Sequence, residues 1–235
     1  MVQDRHRRFV VACATGPLRE ALIEQAVTTT AQRTQQRPLC WFSDGWHGYG
    51  SILERAYRKP VYTGKRGRPR LVIPEALSLT QTVKHRDERG RLLSVEIRAV
   101  LGAGMKPAGT VHVERLNGTW RDRLNALTRK THAFAKRDAT FDALIGLQLF
   151  DHNFHRPPRA LRLPACDGSH RYQQRSPAIA LGGERSSLVF SRIAHHSHTY
   201  HPLIGSLPKN QLGPSNLATH VVVRLTGTMI TCTSK

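Results

Sequence analysis

Hydrophobic and polar positions change their period several times along the chain. Arg8-Phe9-Val10-Val11-Ala12-Cys13-Ala14 is a short apolar run closed by Gly16-Pro17 and predicts a buried strand. From Pro17 to Arg33 the spacing becomes helical. Leu18, Ala21, Leu22, Gln25 and Ala26 follow a 3.6-residue repeat, and Pro17 stands at a favourable first helical position. The β-branched run Thr28-Thr29-Thr30 is expected to weaken the last turns. Beyond Arg37-Pro38, Leu39-Cys40-Trp41-Phe42 reads as a second apolar strand that stops at Ser43-Asp44-Gly45. Tyr49 to Tyr57 suits a short helix, and Leu92 to Val100 a strand ended by Gly102-Ala103-Gly104. Val111 to Lys130 predicts a long helix, and Thr140 to Asn153 another, stopped by Pro157-Pro158. Alternating strands and helices predict an α/β fold, and no internal repeat is visible.

The pattern fades toward the end. After Glu184 the chain has no acid; His195, His196, His198 and His201 cluster; and only Val221-Val222-Val223 is a compact apolar run. Such composition suits a disordered tail, with a histidine metal site or a shifted reading frame as alternatives. We therefore divide the chain into a body, residues 1–164, and a C-terminal extension, 165–235, expected to be poorly ordered after about 184.

Charge sharpens that division. The 235 residues hold 36 Lys/Arg against 16 Asp/Glu, a net charge of +20. The body carries +15 and the extension +5, so the surplus sits mainly on the patterned part. A surplus of this size implies an acidic polymer, most often nucleic acid, and argues against a small-metabolite enzyme with a balanced surface. No apolar run approaches the ~20 residues that span a bilayer, and Met1-Val2-Gln3-Asp4-Arg5-His6 has no signal-peptide character. A cytoplasmic, nucleoid-associated protein is expected. Cys13, Cys40, Cys166 and Cys232 form no Cys-x-x-Cys pair and read as free thiols.

The charge concentrates in segments. Residues 55–70, within a basic loop spanning 55–91, carry seven Lys/Arg and no acid. Lys65-Arg66-Gly67-Arg68-Pro69-Arg70 resembles the AT-hook core, in which Arg-Gly-Arg-Pro lies in a narrow minor groove. A solvated loop contacting phosphate without reading sequence is the alternative, and both point to DNA. The helix containing Glu114 adds Arg115, Arg121, Arg123, Arg129 and Lys130.

Two acids stand at informative places. Asp44 meets a Gly turn at the end of an apolar strand, where α/β sheets often place metal or ligand groups, although Asp-Gly is also an ordinary turn pair. Glu114 lies in a first helical turn, where it suits the helix dipole or a metal. At 100° per residue, Leu116, Trp120, Leu124 and Leu127 form an apolar stripe beside a polar one of Glu114, Asn117, Arg121 and Asn125.

Together these segments resemble a known family. Trp41-Phe42-Ser43-Asp44-Gly45-Trp46-His47-Gly48-Tyr49 is similar to the second-acid motif of DDE-type insertion-sequence transposases. Val113-Glu114-Arg115-Leu116-Asn117-Gly118-Thr119-Trp120-Arg121-Asp122-Arg123-Leu124, with Leu127-Thr128-Arg129-Lys130-Thr131 and Phe134-Ala135-Lys136, resembles the third-acid helix of the branch related to insertion sequence one. A looser likeness spans residues 5–183, including His155 to Arg162 and Tyr172 to Ala178.

The resemblance implies an RNase H-like fold, a mixed sheet flanked by helices, acting as a homo-oligomer on transposon ends and target DNA. It implies three carboxylates holding two Mg²⁺ ions for strand cleavage and transfer. Asp44 and Glu114 would be catalytic metal ligands. Lys65, Arg66, Arg68, Arg70, Asn117, Arg121, Arg129 and Lys130 would contact DNA. The family's first aspartate sits on the first strand of the sheet, before a short strand ending in an Asp-Arg-like turn that Gln3-Asp4-Arg5 resembles. That first strand is expected to lie upstream of Met1, leaving the fold incomplete at its N-terminus, Asp4 structural and cleavage impaired. A non-catalytic DNA-binding remnant or regulator is the alternative function. A basic RNA-binding protein ranks behind both, because RNA-type aromatic signatures are missing.

Overall fold

The computed structural model describes residues 1–16, 20–62, 64, 66–104, 109–128, 132–165, 170–182 and 220–223. The chain divides into two compact units, one of Met1–Asp142 with Ala218–Lys235, the other of Ala143–Leu217. In the first unit the elements run β1 (Val2–Asp4), β2 (Val10–Ala12), α1 (Glu20–Arg33), β3 (Cys40–Asp44), α2 (Tyr49–Tyr57), β4 (Lys59–Val61), β5 (Arg70–Val72), β6 (Ser78–Arg86), β7 (Leu92–Leu101) and α3 (Val111–Arg123). Helix α4 is Asp138–Phe150, and a π-turn, Asp151–His155, follows it in the second unit. The second unit adds β8 (Leu163–Pro164), β9 (Tyr172–Gln173) and α5 (Pro177–Ala180), with β8 and β9 paired antiparallel. Strand β10 (His220–Val223) returns to the first unit.

Six strands form a mixed sheet in the order β2-β1-β10-β3-β6-β7. β10 lies between β1 and β3, antiparallel to β1 (Gln3 opposite Val222) and parallel to β3 (Val222 opposite Phe42). β3 runs parallel to β6, and β6 and β7 form an antiparallel hairpin. Within the extension expected to be largely irregular, the Val221–Val223 run is thus a strand inside the sheet. The His195–His201 cluster, Cys166 and Cys232 lie outside the described residues. Cys13 and Cys40 are free thiols.

Period-two alternation along β3 sends its side chains to two different layers. Trp41 faces α1 and α2, in a core with Val2, Ile23, Val27, Ile52, Leu53, Tyr57 and Leu79. Phe42 faces the other way and packs with Val113 of α3, beside Met1 and Cys40. Helices therefore flank both faces of the sheet. Among the described residues no helix is long and apolar enough to cross a membrane.

Several sequence expectations need correction. The threonine run does not weaken α1, which continues to Arg33. Thr30 is buried, and its Oγ1 donates to the Ala26 carbonyl at 2.8 Å, so the hydroxyl is satisfied inside the helix. The long helix expected from Val111 to Lys130 ends at Arg123. Leu124 takes extended geometry (φ −109°, ψ 101°) and a 3₁₀ turn follows over Asn125–Leu127. β6 was not legible as a strand. Thr80 and Gln81 are polar yet buried, which hides the usual alternation.

Candidate functional site

Asp44 is the last residue of β3, registered with Thr82 of β6. It is half-buried, and its Oδ1 is shut away from solvent. The turn after it is fixed from several sides. Gln81 Nε2 donates to the Trp46 carbonyl at 2.7 Å and to Ser43 Oγ at 3.4 Å. The Trp46 ring meets Tyr49 edge-on at 5.1 Å, and a Cβ on Gly48 would fall 2.0 Å from the Trp46 ring. Gly48 is therefore required by close approach, not by an unusual φ. The Trp-x-Gly-Tyr spacing of the motif thus has a local packing reason independent of any chemistry.

Glu114 sits in the first turn of α3, the helix anchored by Val113 on the Phe42 face. Phe42 and Asp44 share that face of β3. Thr110 Oγ1 donates to Glu114 Oε1 at 2.8 Å, and Lys84 Nζ donates to the same oxygen at 3.1 Å. Lys84 lies two residues after Thr82, so it projects from the side of β6 that adjoins Asp44. Strand β6 thereby places an ammonium group against Glu114. Sequence reasoning missed Lys84 because its strand was not legible. Among the described residues no three of His, Cys, Asp or Glu gather as a metal-binding group.

Asp4 is engaged elsewhere. Its Oδ1 accepts from the backbone N–H of His6 at 2.8 Å and of Arg7 at 3.0 Å, closing the β1–β2 turn. Burial pushes its carboxyl above the usual range, opposed by those two N–H bonds and by Arg7 and His6.

The remaining candidates separate by exposure. β4 and β5 pair antiparallel, with Lys59 opposite Val72 and Val61 opposite Arg70. Arg66 and Arg68 lie on the exposed connection, and Arg70 opens β5. Gly67 has φ +136°, a conformation L side chains rarely adopt, and open space around it. Of the basic loop expected over 55–91, residues 59–72 thus form a two-stranded ribbon with Arg66, Arg68 and Arg70 toward solvent, whereas Ser78–Arg86 joins the main sheet as β6. Arg121 is half-exposed on α3, whereas Asn117 is buried with Val113, Leu116 and Trp120, so its side chain is turned into the protein. Lys65, Arg129 and Lys130 lie outside the described residues. Comparison with protein-family models, with curated proteins and with solved structures returned no match.

Proposed function

We propose that this chain is a transposase-type protein that binds DNA and is impaired in strand cleavage. The mixed sheet flanked by helices, Asp44 at a strand's carboxyl end and Glu114 on a helix of the same face support DDE ancestry, with the RNase H-like fold that it implies. The observation that carries the impairment is the Lys84–Glu114 ion pair, at 3.1 Å. Among the described residues no third acid joins Asp44 and Glu114, and Glu114 is already held by an ammonium group, short of the three-acid set that two Mg²⁺ ions require. The central place beside β3 belongs to β10, whose His-Val-Val-Val sequence carries no acid. The activity proposed is therefore DNA binding through the exposed ribbon rather than phosphoryl transfer.

Two measurements on the full chain test this reading. Duplex binding followed by fluorescence anisotropy should weaken steeply with salt, because each neutralised phosphate contributes about −0.9 to the slope of log K against log[salt]. A Mg²⁺ nicking assay on supercoiled DNA should show no turnover above background. Salt-independent affinity would refute the binding half. Turnover abolished by Asp44→Ala would refute the impairment.

A further inference from the structure

The two edges of the main sheet are unlike. β2 closes one side with three residues, whereas β7 closes the other with ten, Leu92–Leu101, among which stand no lysine and no proline. Among the described residues β7 pairs with β6 alone. Edge strands are ordinarily short, bulged, covered or broken by lysine and proline, because their outward N–H and C=O groups recruit other strands. The register shifts of the β6–β7 pair fall near its ends, so Ser94–Ala99 lies in regular alignment with Thr80–His85. One side of β7 is also apolar and open to water. Leu93 is 69% exposed, Val95 49% and Ile97 44%.

Part of the hairpin outruns the sheet. β3 ends at Asp44, opposite Thr82, so beyond that pair the described residues of β6 and β7 continue as two strands. Two strands alone are marginally stable in water, and a third makes them persist. The charges of β7 select how that third strand lies. Glu96 and Arg98 share one face, and Val95 and Ile97 share the other. Arg98 Nε donates to Glu96 Oε1 at 3.2 Å, and His85 Nε2 lies 3.1 Å from Glu96 Oε2. A second β7 laid antiparallel about a two-fold axis at Ile97 sets Glu96 of each copy opposite Arg98 of the other. The same axis sets Ile97 against its own counterpart and Val95 against Ala99. It also lays the projecting half of each strand along the half of the other that the sheet supports. An axis moved to Glu96 sets carboxylate opposite carboxylate, and one moved to Arg98 sets guanidinium opposite guanidinium. Like charges directly opposite on neighbouring strands repel, so the pattern favours Ile97.

We propose that β7 is a self-complementary interface through which two copies of this chain pair edge to edge, antiparallel about Ile97, joining their sheets into one. The occupant is a second copy because the strand answers its own charges: each Glu96 meets an Arg98, twice over, across one axis. Main-chain hydrogen bonds supply the attachment, and the side-chain pairs set the register. A two-fold contact uses the same edge of both copies, so it closes at a dimer. This inference does not depend on DNA being the ligand or on any chemistry at Asp44 and Glu114.

The test is sedimentation of the full chain by analytical ultracentrifugation, where wild type should run as a dimer. Arg98 and Glu96 are each about half-exposed, so reversing either charge should leave circular dichroism and the thermal midpoint unchanged. Glu96→Arg sets two cationic pairs across the axis, and Arg98→Glu sets two anionic ones. Either variant alone should raise the dimer dissociation constant by about tenfold or more. An equimolar mixture of the two variants should regain wild-type affinity, because every cross-strand pair is again of opposite sign. A second measurement keeps the wild-type charges. Ile97→Cys should form a disulfide-linked dimer on oxidation, since facing residues stand about 4.5–5.5 Å apart at Cα, within disulfide reach. Val95→Cys, four residues from its own counterpart along the strand, should link no more than wild type. A monomeric wild type overturns the proposal and leaves the edge to a different protein. Assemblies larger than a dimer overturn the closed two-fold contact. A dimer indifferent to both charge reversals, a mixture no tighter than its components, or equal linking by Val95→Cys and Ile97→Cys overturns the β7 register.

Discussion

Replacing Val222 by Pro attacks the middle of the sheet through the backbone alone. Val222 is registered with Gln3 on one side and with Phe42 on the other. Six registered residue pairs hold β10 in place, three on each flank. Roughly five ladder hydrogen bonds ride on such pairs, and at ~1 kcal/mol each they contribute about 5 kcal/mol. That is the lower end of the stability of an entire domain, about 5–15 kcal/mol. Proline removes one donor from an interior strand and leaves its acceptor buried without that bond, a combined cost of about 3 kcal/mol. Trp41 is registered with Val221 and is buried, so its fluorescence reports the change. With a urea m-value of ~2 kcal/mol/M, the unfolding midpoint should fall by about 1.5 M. A shift below ~0.3 M would mean that β10 does not hold the sheet together, and the reasoning would fail.

Other substitutions probe separate features. Gly102 has φ +62°, and a Cβ there would stand 2.6 Å from the Leu77 carbonyl oxygen. Gly102→Ala should cost ~2 kcal/mol and lower the thermal midpoint by ~5 °C; an unchanged midpoint sinks the strain argument. Lys84→Gln breaks an ion pair that is about a third exposed on each side, so stability should change by less than ~1 kcal/mol in urea. A larger loss would show that the pair is a structural keystone. His112 titrates near 6.5 when unfolded but about 4 when folded. Between those values the unfolded chain binds more protons, so stability rises with pH through this window and is fully present above about 6.5. Urea titrations from pH 4 to 7 should show that rise, and His112→Gln should flatten it. An identical slope in the variant would rule out His112 as the source.

What the sequence made legible depended on how each residue's environment shows in its neighbours. α2 was read at Tyr49–Tyr57, its observed limits, because its apolar spacing is regular. β3 and β7 were found because apolar or alternating side chains outline them, even though much of β7 is exposed. β6 was hidden, since Ser78, Thr80 and Gln81 are polar residues buried by neighbouring strands rather than by their own hydrophobicity. Gln3-Asp4-Arg5 was read as a turn from its family likeness, whereas Val2–Asp4 is strand β1 and the Asp4 carboxylate caps the turn that follows. Asp44 and Glu114 stood out by their positions at a strand end and a helix start. Lys84 stayed invisible with its strand. The meeting of Arg5 with Phe42, and of Phe42 with Val113, was equally hidden, because no local pattern announces that these distant segments come together. Helical phase alone placed Asn117 on a polar stripe; tertiary packing buries it.

The place of β10 in the sheet also sets an order for synthesis. Its neighbours Val2 to Asp4 and Cys40 to Phe42 emerge from the ribosome early, while the strand that joins them arrives only when His220–Val223 has been made. Such non-local pairing gives the chain a high contact order, and loop closure must be paid for before the contacts form. Until then β1 and β3 each present an open edge able to recruit foreign strands. The sheet is therefore expected to stay incomplete until His220–Val223 has left the ribosome. Slowing synthesis before that strand is made should prolong a state prone to aggregation.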